Sequence, residues 1–170
     1  YIIMNKVLVA YASKYGATEE IAEKIGEVLN QAGLQSDVLP AKQVRDLSAY
    51  KAVIIGSAVY LGMFRREASV FLKTNEMRLS KLPVWMFSSG PIDTGDPMEL
   101  SEGWLFPESL RPVIDNIQPR DIICFGGKAE MKNLNLFEKF IAKKVNSPMG
   151  DFRNWEAIVA WAEGIADKLK

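Results

Sequence analysis

Four short runs of this chain, 6–12, 51–57, 82–88 and 121–127, are apolar at consecutive rather than alternating positions. Val7-Leu8-Val9, Val53-Ile54-Ile55, Val84-Trp85-Met86-Phe87 and Ile122-Ile123-Cys124-Phe125 leave no polar face. A strand of that kind must be covered on both sides, which is the habit of parallel sheets. Between the runs the period changes. Ile21, Ala22, Ile25, Val28, Leu29 and Ala32 share one helical face, and Gly33 supplies a stop. A short link covers 43–48. A helix near 66–80 carries Ala68, Phe71, Leu72 and Leu79 inward and ends before Pro83. With a weaker strand at Ser36–Ala41, five strands alternate with helices. The pattern predicts an α/β domain with right-handed crossovers and a five-stranded parallel sheet in the order 2-1-3-4-5. In such a sheet a ligand crevice opens at the carboxyl ends of the first and third strands. The whole chain, 1–170, reads as one domain.

The first strand runs straight into Ser13-Lys14-Tyr15-Gly16-Ala17-Thr18, and a helical pattern follows from Glu19. A strand-to-helix turn gathers several backbone N–H groups, and the helix start behind them carries partial positive charge. A phosphate fits there without a cationic side chain. Ser13 and Thr18 add hydroxyl donors at the two ends, and Gly16 lets the backbone bend. The spacing is not Gly-x-Gly-x-x-Gly, nor Gly-x4-Gly-Lys-Ser/Thr, so neither a dinucleotide fingerprint nor a nucleoside-triphosphate loop is present.

Other chemistries lack their residues. The chain has no histidine, which removes histidine metal sites, Ser-His-Asp triads and histidine bases. Its one cysteine, Cys124, lies inside a strand run, so no disulfide or cysteine metal site forms within the chain, and a phosphatase loop would need an arginine where Glu130 stands. Ala12-Ser13 and Gly56-Ser57 occupy the strand ends where a phosphoryl-accepting receiver would need acids. Net charge is zero, which gives no footprint for nucleic acid. No apolar run approaches the ~18 residues of a membrane span. Tyr1-Ile2-Ile3 ahead of Met4 reads as a short extension rather than a signal peptide, so a cytoplasmic location is the default.

Two segments stand apart from the alternation. An insertion over 91–118, between the fourth and fifth strands, opens with a stretch to 110 that holds Pro91, Pro97, Pro107 and five acids with no Lys or Arg. It is either a packed decoration of the sheet edge or a lid over the substrate side of the crevice. A short helix at Arg111–Ile117 closes it. An extra amphipathic helix is expected at about 133–145, with Leu134, Leu136, Phe137, Phe140, Ile141 and Val145 apolar and Lys132, Lys139, Lys143 and Lys144 basic. Such a helix buries its apolar face in its own domain or lies on an anionic membrane, peripheral to the inner face. A last helix near 154–169 turns Trp155, Ile158, Val159, Ala162, Ile165, Ala166 and Leu169 inward.

Ser-x-x-Gly-x-Thr after a first strand resembles the FMN-phosphate loop of flavodoxins, with Tyr15 where that family carries its middle threonine. Two more loops fit a flavin. After the third strand, Ser57, Ala58 and Val59 offer backbone contacts and Tyr60 a flat wall for the isoalloxazine ring. Gly62 gives freedom beside flavin N5, although Leu61 separates it from the aromatic. After the fourth strand, Ser88-Ser89-Gly90-Pro91 offers main-chain hydrogen bonds to the pyrimidine side of the ring. Taken whole, the chain resembles a flavodoxin-like three-layer α/β/α sandwich. Within that family it is similar to the menaquinone-dependent protoporphyrinogen oxidase branch, through Ser13–Ala22, Gly56–Leu72, Gly126 to about Lys144 and the Trp155 helix.

The resemblance implies noncovalent FMN, with no side chain needed as acid or base and no metal. Stacked Tyr60 with no cation beside the ring would disfavour the doubly reduced anion. Three readings follow: a small electron carrier served by a redox partner protein or a quinone; an oxidoreductase that dehydrogenates a bulky substrate such as protoporphyrinogen and passes electrons to a quinone; and a binding module of this shape that holds no flavin.

Overall fold

The computed structural model describes residues 6–60, 62–90, 104–129, 135–144 and 150–170. Strand β1 (Lys6–Ala12) leads to helix α1 (Ala17–Gln31), then β2 (Gln35–Pro40), a 3-10 turn at Ala41–Gln43, and β3 (Tyr50–Tyr60). A two-residue β4 (Met63–Phe64) follows, then α2 (Arg66–Thr74), α3 (Glu76–Leu79) and β5 (Val84–Gly90). The chain continues through α4 (Arg111–Ile117), β6 (Asp121–Gly126), β7 (Lys128–Ala129), α5 (Leu136–Lys144), β8 (Gly150–Asp151) and α6 (Trp155–Leu169).

The sheet order is β2-β1-β3-β5-β6, all parallel, with β4 folded back antiparallel on β3. Counting the five parallel strands in chain order, this is the expected 2-1-3-4-5. Alternation along each strand divides the core in two. Val7, Val9, Ile54, Trp85 and Phe87 face α1 and α6, where Ile21, Ile25, Ile158, Ala162 and Ile165 meet them. Leu8, Ala10, Val53, Ile55 and Met86 face α2, α3 and α4 through Phe71, Leu72, Leu79 and Ile114. That is why these strands read as unbroken apolar runs. β2 reads weakly because it is an edge strand and only half buried. Gly56 faces the Phe87 ring so closely that a Cβ there would overlap it.

Local signals explain most boundaries. The Leu34 N–H reaches back to the Leu29 carbonyl at 3.1 Å around Gly33 (φ 91°), closing α1. Asn154 caps α6 by accepting from the Ala157 N–H at 3.1 Å. Three expectations change. The single helix at 66–80 is two helices: α2 ends at Thr74, where the Asn75 side chain and backbone N–H both donate to the Phe71 carbonyl at 2.9 and 3.1 Å, and α3 begins at Glu76. The third strand continues to Tyr60, so the expected loop at 57–60 is strand that ends in a hairpin with β4. The serines and Gly90 after the fourth run likewise lie on β5 itself. From the 91–110 stretch, residues 91–103 lie outside the described residues. Trp104 and Phe106 pack on the α2 side of the core, Trp104 edge-on to Phe64 at 6.2 Å.

Two buried phenols tie carboxylates to the strand layer. Tyr50 donates to Asp37 at 2.8 Å and Tyr11 to Glu19 at 2.9 Å. Burial first, then the carboxylate acceptor, raises each phenol from 10.0 to about 12. A folded value above the unfolded one means that the contribution to stability is whole below pH 10 and is lost as pH rises toward 12. Stability measured by urea unfolding should therefore fall across that window. Replacing Tyr11 and Tyr50 together by Phe should flatten the fall.

Candidate functional site

The carboxyl ends of β1, β3 and β5 lie side by side, as the sheet order requires. At the first of them, Gly16 precedes α1 with φ 91° and no side chain caps the helix. The first turn of a helix leaves its N–H groups without intrahelical partners, so α1 presents donors outward at Ala17 and Thr18. Ser13 Oγ accepts from the Gly16 N–H at 3.0 Å, which pre-bends the turn and keeps the hydroxyl proton available. A Cβ added at Gly16 would meet nothing within 4 Å, so the space before the turn is open.

The other predicted residues fall around this turn in distinct ways. Thr18 is buried, and its hydroxyl pairs with the buried Ser89 hydroxyl at 2.7 Å. The bond ties the turn to β5 across 71 positions of sequence. Ser57 is also engaged internally: its Oγ accepts from the Arg65 N–H at 2.9 Å and donates to the Ala58 carbonyl at 2.9 Å. That bond fixes the hairpin, so Ala58 and Val59 stand half-buried on strand and Tyr60 is 42% exposed at its end. Gly62 turns the hairpin at φ 75°. Ser88 is fully buried on the opposite face from Ser89, and its Oγ has no hydrogen-bond partner among the described residues. It lies toward Cys124, whose thiol burial pushes up against the opposing influence of that hydroxyl. Gly90 accepts from the Gly127 N–H, which brings the ends of β5 and β6 together. Leu61 and Pro91 lie outside the described residues.

Tyr15 is 43% exposed and flanks the same opening as Tyr60. The Lys14 ammonium sits 5.1 Å from the Tyr15 ring centre and 5.9 Å from that of Tyr60. The expectation of an aromatic wall without a cation is corrected here. Residue 14 follows β1, and β1 neighbours β3, so its long side chain reaches the aromatic that ends β3.

Sequence reasoning missed Arg153. Its side chain is 5% exposed, donates from Nε and Nη2 to Asp151 at 2.9 and 2.8 Å, and from Nη1 to Glu20 at 2.8 Å. The guanidinium lies 4.8 Å from the Trp155 ring centre. Arg153 and Glu20 are 133 positions apart, so no local pattern announces the contact. The antiparallel pair β7–β8 delivers it, since that pair brings the chain back to the end of β6.

Among the described residues no cluster of His, Cys, Asp or Glu could hold a metal ion, and no helix is long and apolar enough to cross a membrane. The arrangement can bind an anion by amides and cover a flat ring with tyrosine. An open, uncapped helix start beside two exposed tyrosines fits FMN: amides for the phosphate, ring faces for the isoalloxazine.

Comparison with known proteins gives the family and the fold. A model of the flavodoxin domain family matches residues 8–154. The chain is similar to "Protoporphyrinogen IX dehydrogenase [quinone]" of Escherichia coli K12, at 27% identity over 95% of this chain and 94% of that protein. Among solved structures it resembles a flavodoxin from the domain Archaea (TM-score 0.62, 16% identity, 96% of this chain and 98% of that one). It also resembles a flavodoxin of Streptococcus pneumoniae TIGR4 (TM-score 0.60, 19% identity, 96% and 99%).

The Thr18–Ser89 bond is the point where two walls of the site depend on each other. Thr18→Val or Ser89→Ala alone leaves a buried hydroxyl unpaired and should cost about 1–3 kcal/mol of unfolding free energy. The double variant should cost clearly less than the sum of the two, measured as a double-mutant cycle by urea unfolding.

Proposed function

We propose that this chain, which belongs to the flavodoxin domain family, holds FMN noncovalently at the ends of β1, β3 and β5 and carries electrons through it. The observation that carries the reading is the uncapped start of α1 at Gly16, open to solvent and set between Tyr15 and Tyr60. FMN supplies one- and two-electron redox chemistry when bound. The chain's residues do the holding. Ser13, Lys14, Tyr15, Gly16, Ala17 and Thr18 form the phosphate end. Ser57, Ala58, Val59, Tyr60, Leu61 and Gly62 form one wall of the ring site, and Ser88, Ser89, Gly90 and Pro91 line its pyrimidine side. Lys14 brings positive charge to the ring side, which favours negative charge there.

A second reading is favoured by α5. Leu136, Phe137 and Phe140 are 87%, 71% and 63% exposed, so the described apolar side chains of this helix are not buried in their own domain. Lys143 is exposed beside them. Large apolar side chains with basic neighbours suit an anionic lipid surface, where quinones reside. The E. coli relative is named a quinone-linked protoporphyrinogen IX dehydrogenase. On this reading the chain is a cytoplasmic oxidoreductase at the inner face of the membrane that takes electrons from a bulky substrate of that kind and passes them to a quinone.

Purified protein supplied with excess FMN should turn yellow and retain the flavin through gel filtration. Gly16→Val should weaken retention at least about tenfold, because a β-branched residue is strained at that φ. Colourless wild-type protein would leave only the flavin-free binding module. For the second reading, Phe137→Ser with Phe140→Ser should lower turnover of protoporphyrinogen with a quinone embedded in vesicles. Flavin content and reduction by a soluble reductase should stay unchanged.

A further inference from the structure

Glu19 and Glu20 stand in the first turn of α1. Carboxylates there suit the helix dipole but oppose an external phosphate at the same amides, since like charges compete for one positive end. The fold deals with each in turn. Glu19 is drawn to the Tyr11 hydroxyl at 2.9 Å, and Glu20 to Arg153 Nη1 at 2.8 Å. The second contact is not an ordinary surface ion pair. Asp151 grips the guanidinium through Nε and Nη2, Trp155 lies against its face, and only 5% of the side chain is exposed. Such a cation is held in place before any ligand arrives, and little rotamer freedom remains to be lost. Lys128 stands opposite Asp151 in the β7–β8 register, near enough to favour its charged form. Arg153 thus bridges Glu20 in the first turn of α1 and Asp151 on β8.

We infer that Arg153 is a specificity-determining positioning residue: by neutralising Glu20 it lets the start of α1 accept the phosphate of FMN, and so sets the preference for FMN over riboflavin. This rests on the FMN reading above. Arg153 touches the carboxylate rather than the ring, so its effect belongs to the phosphate alone. Riboflavin shares the ring and lacks the phosphate, which makes the pair of ligands a direct probe.

The test is binding of FMN and of riboflavin to the full chain at low ionic strength, where charge effects are largest. Arg153→Gln should weaken FMN binding about tenfold and leave riboflavin binding unchanged. Adding Glu20→Gln should restore FMN affinity in the double variant. Glu20→Gln alone, which leaves Arg153 and its Asp151 and Trp155 contacts in place, should tighten FMN severalfold and keep the inference testable if Arg153→Gln folds poorly. Equal loss of both ligands in Arg153→Gln, or a ratio of FMN to riboflavin affinity unmoved in Glu20→Gln, overturns the inference and reduces Arg153 to a staple between α1 and β8. Wild-type protein that binds neither ligand overturns the proposed function, a separate outcome.

Discussion

β1, β3 and β5 are covered on both faces, and their backbone groups are spent on one another along almost their whole length. A polar ligand can meet this backbone only where the ladder runs out. Parallel strands all run out at the same edge, and each crossover helix starts there with donors that no helix can satisfy internally. The position of the site is thus a consequence of the same burial that holds the sheet together. The open start of α1 is tolerable because it faces solvent, and it is useful for the same reason.

The charges around that edge are arranged unevenly. On the ring side Lys14 reaches the aromatics Tyr15 and Tyr60. On the helix side Glu19 and Glu20 would oppose an anion, and each has a partner that turns its charge away. An acid-rich first turn strengthens α1 as a helix, so these carboxylates serve the fold, while Tyr11 and Arg153 limit their effect on the amides. Stability and binding pull on the same turn, and the two partners reconcile them.

Much of this was legible in the residues. Val7-Leu8-Val9 and Val53-Ile54-Ile55 announced double-sided burial, and Ser13 to Thr18 announced the turn, because both signals are local. Tyr60 was rightly placed beside that turn by strand order alone. What failed to show was long-range. Nothing local says that the Thr18 hydroxyl meets Ser89 or that the hairpin takes up the Ser57 hydroxyl. Lys14 was read only for its backbone, because nothing in a linear pattern says where four methylenes will carry an ammonium. Arg153 sits in an unremarkable run between two short elements, and only the return of β8 to β7 brings it to Glu20.

That return also bears on α5. The β7–β8 pair holds 128–129 against 150–151, and α5 lies in the chain between those two short strands. Exposing Leu136, Phe137 and Phe140 forgoes about 1.5–3 kcal/mol for each side chain that burial would contribute. A carrier that meets only soluble partners has no apolar phase in which to bury such a face. A protein that exchanged electrons with an apolar phase would be served by an exposed apolar contact of this kind. The Gly127–Gly90 hydrogen bond joins the start of β7 to the end of β5, one of the strands whose ends form the candidate site. The exposed apolar face of α5 is the observation that supports the proposed quinone reading beside that of a soluble carrier.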